Sequence, residues 1–79
     1  MERAQMKIRP IGANKTEATV NNITLLYSYE TPVAGYDDQG AFRTDEKFSR
    51  TTSKHINQYL GGADVGRVIS QADIEGMVA

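Results

Sequence analysis

Seventy-nine residues, 39% hydrophobic and 24% charged, with no tryptophan, describe one ordinary globular domain with a thin core. The absence of cysteine excludes disulfides and thiolate metal sites, the single histidine excludes a multi-histidine zinc site, and no apolar run approaches the roughly 18 residues of a membrane span. The net charge of -1 and pI of about 5.7 set the chain apart from basic domains that live on phosphate, yet residues 1–20 and 41–60 each carry +2, residues 21–40 carry -3 and residues 61–79 carry -2.

The pattern predicts a single domain over residues 1–79, with residues 1–4 loose. "MERAQMKIRP" has no apolar secretory segment, so the expected location is the cytoplasm. "QMKIRPI", Gln5 to Ile11, reads as a first strand with Met6 and Ile8 on one face and Lys7 and Arg9 on the other, and Pro10 assigns it to a sheet edge. "EATV", Asn21-Asn22 and "ITLLYSY" read as a hairpin, since asparagine tolerates the positive φ of a tight turn. From Ile23 to Tyr36 the alternation continues, and the run reads as one long strand that Pro32 and Gly35 bend. "DDQG", Asp37 to Gly40, is turn chemistry, and "AFRTDEKFS" returns with Phe42 and Phe48 on one face.

Thr52, His55, Ile56, Tyr59 and Leu60 recur at three- and four-residue steps, which predicts an amphipathic helix capped by Thr51, Thr52 or Ser53 and stopped by Gly61 and Gly62. Lys54, Asn57 and Gln58 should face outward. A second, short helix is expected after Ser70, with Asp73 at its third position, Ile69 and Ile74 as a staple, and Ile74, Met77 and Val78 turned inward.

Two constellations could carry chemistry. His55 is the one general base available near neutral pH, with Ser49, Thr51, Thr52 and Ser53 close by in sequence, but no nucleophile elbow or phosphate-loop spacing accompanies them. A half-buried, hydrogen-bonded histidine is the plainer reading, and no catalytic residue, metal or cofactor is assigned. The second constellation interleaves Arg43, Lys47, Arg50, Lys54 and Tyr59 with Phe42 and Phe48, a composition that could follow a phosphate backbone and stack on bases, or contact a protein partner. Asp45 and Glu46 halve its charge.

The segments Tyr29-Glu30-Thr31-Pro32-Val33-Ala34 and Phe48-Ser49-Arg50-Thr51-Thr52-Ser53-Lys54-His55-Ile56-Asn57 resemble a group of short uncharacterised proteins of tailed bacteriophages that share a "TPVA" strand and a "YSxTTSKHIN" motif. Phe48 stands where tyrosine is usual. The resemblance implies a phage-type gene product acting inside a bacterial cell and implies no reaction.

The resulting expectation is an α+β fold: an antiparallel meander of four or five strands curling toward a barrel, with one amphipathic helix and a short C-terminal helix. The expected role is a non-enzymatic, homo-oligomeric interaction module, with nucleic-acid binding and an enzyme around His55 as the alternatives. No membrane or small-molecule partner is expected.

Overall fold

The computed structural model describes residues 6–78; the expected loose residues 1–4 and Gln5 lie outside them. In chain order the elements are β1 (Met6–Gly12), β2 (Lys15–Val20), β3 (Ile23–Ser28), β4 (Thr31–Asp37), β5 (Gly40–Thr44), α1 (Arg50–Leu60), β6 (Arg67–Ile69) and α2 (Gln71–Gly76). The strands form one open six-stranded sheet whose spatial order follows the chain, β1-β2-β3-β4-β5-β6. All neighbours are antiparallel except β5 and β6, which run parallel. The expected count of four or five strands is therefore corrected to six, and the barrel to an open sheet in which β1, with Pro10, forms one edge and β6 the other.

The Asn21-Asn22 hairpin is as expected, with Val20 opposite Ile23 and Asn21 at φ 55. The single bent strand from Ile23 to Tyr36 is not. Tyr29 adopts φ 59 and, with Glu30, reverses the chain, so that β3 and β4 pair with each other, Leu26 opposite Ala34 and Leu25 opposite Gly35. Pro32 stands at a register irregularity opposite Tyr27, before the pairing of β4 with β5 begins at Ala34, which is where a strand tolerates a residue without an N–H. Gly35 marks close packing and not a bend: a Cβ there would come within 2.1 Å of the Thr24 carbonyl oxygen and 2.9 Å of the Phe42 ring.

The alternation of side chains divides the core in two, each half covered by a helix. Leu26, Val33 and Ala34 pack against Ile56 and Leu60 of α1. On the other face Leu25 and Phe42 pack against Ile74 of α2, with Ile23, Tyr27, Ile69, Met77 and Val78 around them. Phe48 lies beyond β5 and is 38% exposed, so it does not share the buried face of Phe42.

α1 begins at Arg50, capped not by Thr51, Thr52 or Ser53 but by Ser49, whose side chain accepts from the Thr52 N–H. Its end is as read from the sequence: Gly61, at φ 93, returns its N–H to the Asn57 carbonyl. Ser70 caps α2 by accepting from the Asp73 N–H. β6 has no counterpart in the sequence reading; it is held to the β4–β5 turn by Arg67, whose guanidinium meets Asp37 at 2.7 Å.

Candidate functional site

His55 is buried where α1 crosses β3. Its Nδ1 lies 2.9 Å from the Ser28 hydroxyl, which lies 3.0 Å from the Thr52 hydroxyl, which in turn accepts from Ser49. Burial, followed by the charges of Lys15 and Lys54, holds the imidazole below its ordinary pKa. A neutral ring and a hydroxyl at this distance are the elements of a nucleophile and base pair. Yet Ser28 is 2% exposed, and among the described residues no carboxylate hydrogen-bonds the ring to orient it. The arrangement ties α1 to β3 through buried polar groups; the hydrogen bond was expected of His55, and the ring is buried where half-burial was expected.

The five residues expected to contact a nucleic acid or partner separate into two sets. Arg43 is turned inward, donating to the Val65 and Gly62 carbonyls and to Asn57 Oδ1, and so fastens the C-terminal end of α1 and the loop after it. Asn57, expected to face outward, is half-buried by this contact. Tyr59 donates to Glu17 at 2.6 Å, and burial together with that carboxylate raises its pKa far above the usual phenol value. Lys47, Arg50 and Lys54 are exposed. The structure thus brings Arg43 and Tyr59 into internal contacts and leaves three cations at the surface.

A feature that residue types alone did not mark lies on the sheet face opposite α1. α2 covers only the middle of that face. Beyond it Ile8, Thr16, Ala18 and Tyr27 line a shallow, apolar groove of about 300 Å³, closed at one end by Tyr29 and Glu30. Ile8 is 64% exposed and Tyr29 is 51% exposed. The alternation of Ile8 with Lys7 and Arg9 carried the signal in the sequence; what it could not show is that, among the described residues, the intramolecular cover ends before reaching β1.

The model of a family described as "Family of unknown function (DUF8033)" matches residues 6–76 of the chain. No curated protein and no solved structure matches it.

Proposed function

Since the chain belongs to DUF8033, a family without an assigned activity, we propose from its geometry that it is a non-enzymatic interaction module that self-associates through the uncovered face of β1, β2 and β3. The observation that carries this reading is the apolar groove lined by Ile8, whose large aliphatic side chain is left in water on the edge strand. Face packing is favoured over edge-to-edge pairing. β1 aligned antiparallel with its own copy about Ile8 would set Lys7 against Arg9, and Pro10 has no N–H to contribute, both of which are features that blunt an edge. A small domain with a thin core also gains from burying such a face against a second subunit. The resemblance of the "TPVA" and "TTSKHIN" segments to phage proteins supports an accessory role in the cytoplasm of a bacterial host.

An enzyme around His55 has less support, because the ring's Nδ1 is taken up by an enclosed hydroxyl. Light scattering tests self-association: the protein is expected to show a mass above that of one 8.7 kDa chain at micromolar concentration, and Ile8→Lys to return it to the monomer. A wild-type monomer throughout that range would refute the reading.

A further inference from the structure

The face that carries α1 differs in charge from the rest of the molecule, and the cations on it are contiguous. Arg50 and Lys54 stand one turn apart on the exposed side of α1, and Gln58, a further turn along, accepts from Lys15 at 3.3 Å. Lys15 is two residues from Glu17 on β2, and Glu17 meets Arg9 of β1 at 2.6 Å. Arg9 and Lys7 point to the same side, about 6.6 Å apart at strand pitch. Lys15 stands opposite Ser28, the residue that bonds His55, and reaches Gln58, which brings it alongside the helix that carries Lys54. Glu17 stands among them and is already engaged by Arg9 and by the Tyr59 hydroxyl, and Glu46 lies exposed four residues before Arg50. Asp73 and Glu75 lie on α2, across the sheet, and Asp45 accepts from the first residue of that helix.

An aromatic ring flanks the stripe. Tyr36 belongs to the transverse row Lys7, Thr19, Thr24 and Tyr36, and is 39% exposed beside Tyr59. Tyr29 lies against His55 at the end of the sheet, where it also closes the Ile8 groove, and so it is left out of the stripe. Cations at regular spacing with an accessible ring at their margin match a polyanion whose bases are free to stack. The side chains of an acidic peptide carry no aromatic ring to stack on such a ring, and a bilayer requires apolar insertion that this face does not offer.

We propose that the α1-bearing face, through Lys7, Arg9, Lys15, Arg50 and Lys54 with Tyr36 at its margin, is a docking surface for single-stranded nucleic acid. It lies on the side of the sheet away from the Ile8 groove and does not depend on self-association. The test is fluorescence anisotropy of the full chain with a labelled oligothymidylate, beside a duplex of equal length and a polyglutamate peptide of equal charge. Oligothymidylate should bind at low salt, more tightly than the other two, with log K falling against log salt at a slope of about -3 for four to five phosphates neutralised. Arg50→Glu with Lys54→Glu should weaken binding by about tenfold or more. Folding should survive, because both positions are exposed and, at Arg50, an acidic residue in the first turn suits the helix dipole, where α1 has none. Thermal melting and light scattering on the same variant confirm fold and subunit state. Absence of oligothymidylate binding at low salt, equal or tighter binding of duplex or polyglutamate, or affinity unchanged in the double variant would each overturn the proposal.

Discussion

Protonating His55 sets its charge against Lys15 and Lys54 and places it in a buried site, while its neutral form keeps the Ser28 contact. The native pKa is lowered, and the unfolded histidine titrates near 6.5. Between those two values the unfolded chain binds the extra proton, so the stability linked to His55 is complete above about pH 6.5 and declines as pH falls toward the depressed native value. Thermal melts across that window should show the decline. His55→Gln, which can still bond Ser28 but does not titrate, should flatten it while lowering the melting temperature by a few degrees. A variant whose acid-side slope matches wild type would assign the slope to another group; Asp37, its pKa lowered by Arg67, loses its contribution only below about pH 3.8. Tyr29 poses a different question, since a bulky residue at φ 59 carries roughly 1–2 kcal/mol of backbone strain. Tyr29→Asn should raise or preserve the melting temperature and, if the exposed ring serves binding, weaken association. Loss of stability in that variant would show that the ring's contact with His55 outweighs the strain.

What was legible in the sequence depended on how local each signal was. The Asn21-Asn22 turn and α1 rest on residues next to each other in the chain, and both were readable. The turn at Tyr29 and Glu30 was not, because neither residue is a usual turn former and the alternation ran through it unbroken; the ladder between β3 and β4 imposes the reversal. β6 escaped for a related reason: three residues pairing in parallel with a strand more than twenty positions earlier leave no periodic trace. In the candidate site, the exposure of Lys47, Arg50 and Lys54 follows from type, whereas the inward turn of Arg43 is created by the loop after α1. Gly35 illustrates the same distinction within β4. Its ordinary backbone gives no hint of need, but the Thr24 carbonyl and the Phe42 ring occupy the space of a side chain. Gly35→Ala should therefore destabilise by several kcal/mol or prevent folding, read by denaturant titration, and a loss under about 1 kcal/mol would mean that β3 and β4 separate more freely than their packing indicates. Ser49→Ala, removing the cap of α1, should cost about 1 kcal/mol by the same measurement.

The whole molecule is a sheet with two dissimilar exteriors. The side bearing α1 is polar and carries the cationic stripe, and the opposite side is apolar and only partly roofed by α2. If the apolar side is closed by a second copy, folding and assembly are linked, and the melting temperature must rise with protein concentration. Calorimetry over a hundredfold dilution series should show that rise in wild type and its absence in Ile8→Lys; a concentration-independent wild type would place the stability wholly within one chain. The coincidence of spatial and chain order in the sheet bears on how the protein is made. Each of the first five strands meets a partner that has just emerged from the ribosome, so zippering can begin at any hairpin without waiting for distant sequence. Among the strands only β6 must wait for α1 to form and cross over, so the Arg67 and Asp37 contact closes after the hairpins and leaves α2 to dock behind it.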